Sequence, residues 1–219
     1  MAILVKICGI TSVAAAEAAA LEHADFAGLN FHAPSTRNLR IEHAAAIARP
    51  LRGRVRIVAL LVDPTDELVA AVVKGVAPDF LQLHGRETPA RVAALVARYG
   101  IPVIKGFGIA EPSDLAKVPA YDDVAEMFLL DAKAPADAAT PGGHGVAFDW
   151  QLIRGRRFAR PWLLAGGLNP RNVAQAVQIS EAPGVDVCSG VESAPGEKNT
   201  ELMAQFVRAA RSASRGAAA

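Results

Sequence analysis

The sequence contains few of the residues that mark several common classes of protein. Only two of its 219 residues are cysteines, Cys8 and Cys188, which excludes a disulfide framework, and no zinc-ligand spacing lies near them. Aromatic residues make up 5% of the chain, so side chains that could stack on nucleic-acid bases are scarce. We therefore expect a protein of the reducing cytoplasm.

Long apolar runs and an excess of one charge are also missing. No uninterrupted apolar run approaches the roughly 18 residues that a membrane span needs, and Lys6 interrupts the apolar N-terminus too early for a signal peptide. The chain has 23 basic and 22 acidic residues, a net charge of +1. We therefore expect no nucleic-acid and no membrane partner. The 52% of residues that are apolar suffice for one sizeable core.

The sequence does contain a regular alternation of short apolar runs and helical segments. The runs are continuous and apolar, as expected for strands that are covered on both faces. Eight predicted strands cover residues 3–7, 25–31, 54–62, 79–83, 102–105, 126–131, 161–165 and 185–188. Eight predicted helices cover residues 12–22, 41–48, 66–74, 89–99, 111–117, 148–154, 170–179 and 200–211. The seventh helix has Pro170 in its first turn.

This alternation predicts a single-domain (β/α)8 barrel, the TIM-barrel fold of the α/β class, over residues 1–211. A doubly wound open sheet shows the same alternation and stays an alternative at this point. Residues 212–219 have no pattern, and we expect them to form a disordered tail.

Polar residues or glycines follow every predicted strand. In a barrel, functional residues lie at these carboxyl ends. In chain order they are Lys6 and Cys8, Asn30, Asp63, His84 and Gly85, Lys105, Asp131, Gly166 and Gly167, and Ser189 and Gly190. A barrel with a purely structural role would have little reason to gather these groups at one rim.

Cys8 is the first candidate for chemistry. Most free cysteines are small buried core residues, and Cys8 could be one of them. It also lies next to a predicted helix N-terminus and close to Lys6, and both would stabilise a thiolate. Its position therefore favours an acid–base thiol, with core packing as the alternative.

Three further polar residues have two interpretations each. Asp131 could cap a loop, or it could be a carboxyl group at a partly dry rim whose raised pKa lets it donate a proton. His84 could hydrogen-bond to a loop carbonyl or contact a substrate. Arg37 could be solvated, or it could bind a substrate carboxylate with two hydrogen bonds.

Three glycine clusters occupy the second half of the chain, at residues 142–145, 165–168 and 189–191. Glycines let backbone N–H groups approach an anion closely, and barrels often bind phosphate after the seventh and eighth strands. Each cluster could also be a plain tight turn. Because two of them follow the seventh and eighth strands, phosphate binding is favoured.

Taken together and in order, these motifs resemble the phosphoribosylanthranilate isomerase family of tryptophan biosynthesis. The matching segments are residues 6–11, 35–37, 81–85, 129–131, 142–145 followed by 148–150, 164–168, 185–187 and 189–192. The resemblance covers nearly the whole chain. It implies a cofactor-free and metal-free Amadori rearrangement of N-(5-phosphoribosyl)anthranilate to 1-(2-carboxyphenylamino)-1-deoxyribulose 5-phosphate. The implied partner is this phosphosugar substrate, and we expect a monomer or a homodimer.

The resemblance also implies a role for each matched residue. Cys8 matches the general base and Asp131 the general acid. Arg37 matches the residue that faces the anthranilate carboxylate, and His84 and Asp186 match further substrate-binding positions. The phosphate-binding positions correspond to Gly145, Gly166, Gly167, Ser189 and Gly190.

The chain departs from the commonest family pattern at three positions. Thr36 stands where proline is usual, His144 where threonine or serine is usual, and Cys188 where serine is usual. We interpret Cys188 as a packing residue. None of the three removes a catalytic group.

Two other functions remain alternatives. Another barrel enzyme, such as a metal-using sugar-phosphate epimerase or the histidine-pathway isomerase, would need several rim histidines or an aspartate in place of Cys8. A barrel that binds a phosphorylated ligand without catalysis would not need both Cys8 and Asp131.

Overall fold

Eight parallel strands close into a barrel in which each strand pairs with the next along the chain and the eighth pairs with the first. The computed structural model describes residues 2–133 and 148–213. The strands are β1 (Leu4–Ile7), β2 (Phe26–Asn30), β3 (Arg56–Leu61), β4 (Phe80–Leu83), β5 (Val103–Ile109), β6 (Met127–Ala132), β7 (Trp162–Leu164) and β8 (Gly184–Val187). The predicted barrel is therefore confirmed, and the open-sheet alternative is wrong.

Helical segments connect the strands on the outside of the barrel. The α-helices are α1 (Val13–Leu21), α2 (Ile41–Ala48), α3 (Asp66–Val76), α4 (Pro89–Tyr99), α5 (Val173–Ser180) and α6 (Thr200–Ala213). Segments of 3₁₀-helix cover Arg49–Leu51, Pro112–Tyr121, Trp150–Ile153 and Ser189–Val191. In the part of the chain that the structure describes, no helix is long and apolar enough to cross a membrane.

Local sequence explains where these helices begin and end. The hydroxyl groups of Ser12, Thr65 and Thr88 accept hydrogen bonds from backbone N–H groups in the first turns of α1, α3 and α4. Gly100 ends α4 in the left-handed conformation, with φ 65°. Helix α5 begins at Val173, so the prediction that Pro170 lies in its first turn is wrong.

Two predicted helices are 3₁₀ segments instead. The segment Pro112–Tyr121 contains Pro119, which has no N–H to donate, so an α-helical hydrogen-bond ladder cannot run through it. The segment Trp150–Ile153 is shorter than the predicted helix over residues 148–154 and begins at an Asp149 cap. The connection after β6 includes residues 134–147, which lie outside the described residues.

The core has two parts. The larger part lies between the strands and the surrounding helices. The smaller part fills the barrel interior and contains Phe26, Val58, Ile104, Met127, Leu129, Leu163 and Ala165, with Leu4 and Phe80 packed against them. Because side chains of a strand alternate between its two faces, Lys6 follows Leu4 on the inner face of β1. The interior therefore changes from apolar to polar toward the carboxyl ends of the strands.

A short antiparallel hairpin follows the barrel strands and was not predicted. Its strands are β9 (Glu192–Ala194) and β10 (Glu197–Lys198). The hairpin precedes α6 and lies beside the end of β1, where the Thr11 hydroxyl donates to the Gly196 carbonyl at 2.6 Å. It thus adds two charged residues, Glu192 and Lys198, to the rim of the barrel.

Candidate active site

The polar end of the barrel interior is built where β1 and β8 meet. Lys6 is the register partner of Asp186, and Ile7 is that of Val187. The Cys8 N–H donates to the Val187 carbonyl at 2.8 Å, which continues this pairing beyond the last strand residues. Since side chains alternate with a period of two, Cys8 emerges above Lys6, and Cys188 above Asp186.

Lys6 and Asp186 form a buried ion pair beneath Cys8. The Lys6 Nζ donates to Asp186 Oδ1 at 2.7 Å, and the lysine side chain is completely buried. Burial alone would lower the pKa of Lys6, but the charges of Asp186 and Cys8 outweigh it and raise that pKa. Burial raises the pKa of Asp186 to about 7, against the pull of Lys6 and with the help of a Cys8 thiolate. Asp186 therefore acts on Cys8 indirectly: it binds the Lys6 ammonium group, which in turn lowers the pKa of Cys8.

Cys8 is a buried thiol whose surroundings favour the thiolate. A hydrogen bond with Cys188 lowers the pKa of Cys8 well below its usual range, and Lys6 and Lys198 act in the same direction against burial. Space around its sulfur depends on Gly28, because a Cβ there would lie 2.9 Å from Cys8 Sγ. The site can therefore hold a base on the inner face of the barrel.

Cys188 lies beside Cys8 at the seam between β1 and β8, and the hairpin residue Lys198 joins Cys188 to Glu192. The Lys198 Nζ lies 2.9 Å from the Cys188 carbonyl oxygen, 3.7 Å from Cys188 Sγ and 2.6 Å from Glu192 Oε1. Cys188, which we interpreted as a packing residue, thus also has a polar neighbour at its sulfur, the Lys198 ammonium group.

Asp131 and His84 form a second polar group on the strands facing β1. The His84 Nε2 lies 3.4 Å from Asp131 Oδ2, and the Ala132 N–H donates to Asp131 Oδ1 at 2.8 Å. Gln82 Nε2 lies 3.0 Å from His84 Nδ1, so the amide helps to hold the imidazole ring beside Asp131. The imidazole has room because a Cβ at Gly106 would lie 2.5 Å from His84 Nδ1.

Arg37 is held over the rim by Glu192. Its Nε and Nη2 donate to the two Glu192 carboxylate oxygens at 2.7 Å each, and 12% of its side chain is exposed. The hydrogen bonds with Glu192 raise the pKa of Arg37 against the effect of burial. Nη1 is not used in this pair, so the guanidinium keeps donors for a further anion.

The glycine loops after β7 and β8 touch each other. Gly166 and Gly167 have φ values of 88° and 61°, which favour glycine. A Cβ on Gly190 would overlap the Leu168 carbonyl oxygen, so the loop carrying Ser189 and Gly190 approaches the backbone after β7 as closely as glycine allows. The predicted phosphate-binding residue Gly145 lies outside the described residues, as do His144 and the rest of the cluster at 142–145.

The structure therefore gathers most of the predicted residues at one end of the barrel, but in three groups. Cys8 and Asp186 lie near Lys6, His84 lies near Asp131, and Arg37 lies at the hairpin.

Lys105, which was predicted to lie at the rim, instead points into the helix layer, where its Nζ contacts Glu87 Oε2 at 3.1 Å. Among residues 2–133 and 148–213, no group of three or more His, Cys, Asp or Glu side chains is placed to hold a metal ion.

Two residues of the site were missed in the sequence. Glu192 ends the matched segment at 189–192 but was given no role, and Lys198 lies ten residues beyond the end of the eighth predicted strand. No local pattern marks Lys198, because the hairpin that brings it back to the rim is short and polar.

A closed (β/α)8 barrel with a thiol and a carboxyl group at the carboxyl ends of its strands has the arrangement that is typical of barrel enzymes. Residues 5–209 match the family model of N-(5'phosphoribosyl)anthranilate (PRA) isomerase. The chain belongs to this family and is an isomerase. The family expectation drawn from the motifs is confirmed.

Individual relatives agree with this assignment. The chain is 50% identical over 211 residues to an N-(5'-phosphoribosyl)anthranilate isomerase of Rhodopseudomonas palustris (strain BisA53), covering 96% of this chain and 97% of the relative. It is 49% identical over 207 residues to the same isomerase of Paracoccus denitrificans, covering 94% and 96%.

Solved structures of the family have the same fold. The phosphoribosyl anthranilate isomerase of Thermotoga maritima superposes with a TM-score of 0.86 at 34% identity, covering 96% of this chain and 99% of that one. A second structure of such an isomerase superposes with a TM-score of 0.83 at 32% identity over 96% and 99% of the chains. That protein is in complex with reduced 1-(o-carboxyphenylamino)-1-deoxyribulose 5-phosphate.

Proposed function

We propose that the protein catalyses the Amadori rearrangement of N-(5'-phosphoribosyl)anthranilate in tryptophan biosynthesis, with Asp131 as general acid and Cys8 as general base. The observation that carries the proposal is that both groups face one end of the same barrel interior, Cys8 after β1 and Asp131 on β6. Family membership supplies the reaction.

Asp131 acts first, on the ring oxygen of the ribose. The carboxyl group donates its proton as the bond between C1 and the ring oxygen breaks, and the nitrogen lone pair forms a protonated Schiff base at C1. The contact with His84 and the hydrogen bond from the Ala132 N–H support this role, because they fix the carboxyl group. Proton transfer by a positioned group contributes typically about 10²–10⁴-fold to a rate.

Cys8 acts second, on the sugar C2. The positive nitrogen acidifies the C2 proton, and the thiolate removes it while the electrons of the C2–H bond move to form the enolamine. This product tautomerises to the ketone when C1 gains a proton and the C2 hydroxyl group loses one. The lowered pKa of Cys8 supports this role, since only the thiolate can accept the proton.

The two ends of the substrate are bound by separate anion sites in this proposal. Arg37 uses its remaining donors for the anthranilate carboxylate. The loops that contain Gly166, Gly167, Ser189 and Gly190 bind the phosphate through backbone N–H groups. Fixing both ends would orient C1 and C2 between Asp131 and Cys8, so that two modest groups suffice.

The test is an assay of Cys8→Ala and Asp131→Asn on freshly prepared phosphoribosylanthranilate. We expect each variant to lose about 10²–10⁴-fold in turnover, with circular dichroism unchanged. Asp123→Asn replaces an exposed aspartate and serves as the matched control with full activity. Full activity of Cys8→Ala or Asp131→Asn would contradict the assigned role.

Complementation tests the reaction itself. The unmodified protein should restore growth of a tryptophan auxotroph that lacks this isomerase, and it should not restore a histidine auxotroph that lacks the related aldose–ketose isomerase. Growth of only the histidine auxotroph would overturn the proposed substrate. Failure in both strains, with no activity on the substrate in vitro, would favour a barrel that binds its ligand without catalysis.

A further inference from the structure

Two side chains beside Cys8, the half-buried Cys188 and the buried Lys198, take no part in the steps proposed above. Cys188 follows β8, and Lys198 ends β10 with its side chain completely buried. A lysine ammonium group has three N–H donors, and each has an acceptor here, namely the Cys188 carbonyl, the Cys188 sulfur and the Glu192 carboxylate. Packing alone does not explain why a buried lysine places its ammonium group against a thiol.

We propose that Cys188 and Lys198 are positioning residues for the base: the Cys188 thiol donates its S–H to the Cys8 thiolate, and Lys198 fixes and polarises the Cys188 thiol. The proposal rests on the proposed role of Cys8 as the general base. Neither residue contacts the reacting atoms in this scheme, because both act through Cys8.

Strand register is the first argument. The pairs Lys6–Asp186 and Ile7–Val187 are in register, and the Cys8 N–H to Val187 carbonyl hydrogen bond extends the pairing by one position. The two cysteines therefore follow paired positions and point to the same side of neighbouring strands. Neighbouring strands lie about 4.8 Å apart, so the side chains of Cys8 and Cys188 adjoin each other at the seam between β1 and β8.

The direction of the proton is the second argument. Cys8 lies above the Lys6 ammonium group, which stabilises a thiolate on Cys8. Lys198 donates toward Cys188 Sγ at 3.7 Å, which makes the Cys188 S–H a better donor, because hydrogen bonds in a chain polarise one another. In agreement, the shared hydrogen bond lowers the pKa of Cys8 and raises the pKa of Cys188.

Lack of space keeps the pair in place. A Cβ at Gly9 would lie 3.0 Å from Cys188 Sγ and 2.5 Å from Arg37 Cδ. Glu192 binds Lys198 and Arg37 at the same time, so the hairpin holds the lysine from above. The charged and titratable groups that face the thiol pair are Lys6, Arg37, Asp186, Glu192 and Lys198.

The test measures the thiolate of Cys8 directly. The rate of alkylation of Cys8 by iodoacetamide is followed from pH 4 to 10 by peptide mass spectrometry in the full-length protein and in Cys188→Ala, Cys188→Ser and Lys198→Met. We expect the pKa of Cys8 to rise by about one unit or more in Cys188→Ala and in Lys198→Met. Cys188→Ser keeps a donor and should hold it within about half a unit of the unmodified protein.

A kinetic readout accompanies the chemical one. The acidic limb of the pH profile of kcat/KM should move by the same amount as the alkylation pKa in each variant. Lys74→Met, which removes an exposed lysine on α3, is the matched control and should leave both unchanged. Circular dichroism confirms that each variant is folded, and if Cys188→Ala does not fold, the comparison of Cys188→Ser with Lys198→Met decides.

The outcomes separate the two proposals. An unshifted alkylation pKa in both Cys188→Ala and Lys198→Met overturns the positioning roles. Because alkylation does not depend on catalysis, that result leaves the function of Cys8 untouched. Conversely, an active Cys8→Ala overturns Cys8 as the base, whatever the alkylation of Cys8 shows.

Discussion

Arg37 connects the exposed rim of the barrel to the buried residues around Cys8. Two of its donors are bound by Glu192, which in turn binds Lys198. The backbone N–H of Arg37 donates to the Ser35 hydroxyl at 3.2 Å, and Ser35 accepts from the Asn30 side chain at the end of β2. The guanidinium is therefore positioned before any ligand arrives.

Replacement of Arg37 tests whether it binds the non-reacting end of the substrate. We expect Arg37→Ala to raise KM by about tenfold or more while lowering kcat much less, since the lost contact is equal in the ground and transition states. Steady-state kinetics measure both constants. Arg40→Ala, at a residue whose side chain is 90% exposed, is the control and should leave KM unchanged. An unchanged KM in Arg37→Ala would remove Arg37 from the site.

Asp186 makes the stability of the protein depend on pH. Burial raises its pKa to about 7 in the folded protein, whereas an unfolded aspartate has a pKa of about 3.9. Between these values the folded protein holds a proton that the unfolded chain has lost, so stability from this group is lost as the pH rises through 7. Lys6, Cys8 and Asp131 are the charged or titratable neighbours that set this pKa.

Chemical denaturation of Asp186→Asn at pH 5 and pH 7.5 measures this contribution. Between these pH values, the free energy of unfolding of the unmodified protein should fall relative to the variant by at most about 1.4 kcal/mol per pH unit. The exposed control Asp123→Asn should follow the unmodified protein at both pH values. A difference between the unmodified protein and Asp186→Asn that does not change with pH would show that Asp186 has an ordinary pKa.

At the scale of elements, the alternation of apolar runs and helical segments predicted most of the barrel. The bounds of α2 and α4 were predicted to the residue, and most of the barrel strands begin and end within two residues of their predicted positions. Continuous apolar runs mark strands that are buried on both faces. Caps such as Thr88 and Gly100 mark helix ends through local hydrogen bonds and φ values. Both signals depend on neighbours in the sequence.

Strand β5 shows where local signals fail. It was predicted over residues 102–105, but it continues to Ile109 through Gly106 and Gly108. Glycine weakens a strand, but a Cβ at Gly106 would lie 2.5 Å from His84 Nδ1, and one at Gly108 would make a tight contact of 3.3 Å with Lys133 Cα. The glycines are explained by side chains from neighbouring elements, which the local sequence does not reveal.

The residues of the candidate site also fall into two groups, those that local sequence predicts and those that it does not. Cys8, His84 and Asp131 could be predicted because each lies at or just beyond the carboxyl end of a recognisable strand. Lys198 could not, since its proximity to Cys188 depends on a hairpin of short exposed strands and on the closure of β8 against β1. Residues placed by tertiary contacts carry no periodic pattern.

At the scale of the whole molecule, the barrel closes by pairing its first and last strands. That seam joins residues about 180 positions apart, and both cysteines of the chain lie at its carboxyl end. Neighbouring parallel strands are about 4.8 Å apart, which lies within the Cα separations of about 4.4–6.8 Å that a disulfide accepts. Closure of the barrel therefore brings together two thiols that could be cross-linked across the seam.

Oxidation with diamide uses this seam as a test of barrel closure in solution. Cys8 and Cys188 would lose two protons and two electrons to diamide, which is reduced to its hydrazine, and the protein would lose the mass of two hydrogen atoms. We expect the oxidised protein to be inactive, because Cys8 can no longer be a thiolate, and dithiothreitol to restore activity. A cross-link that closes so long a loop should also raise the free energy of unfolding by about 2–4 kcal/mol.

The control separates closure from accidental oxidation. Cys188→Ser keeps Cys8 but has no second thiol, so diamide should produce neither the mass loss nor the added resistance to urea. If the disulfide of the unmodified protein forms only after urea has unfolded the chain, the ends of β1 and β8 do not meet in solution. Formation in the folded state, at a rate that follows the Cys8 thiolate, would mean that the fold itself holds the two sulfurs together, since residues 180 positions apart have no local reason to meet.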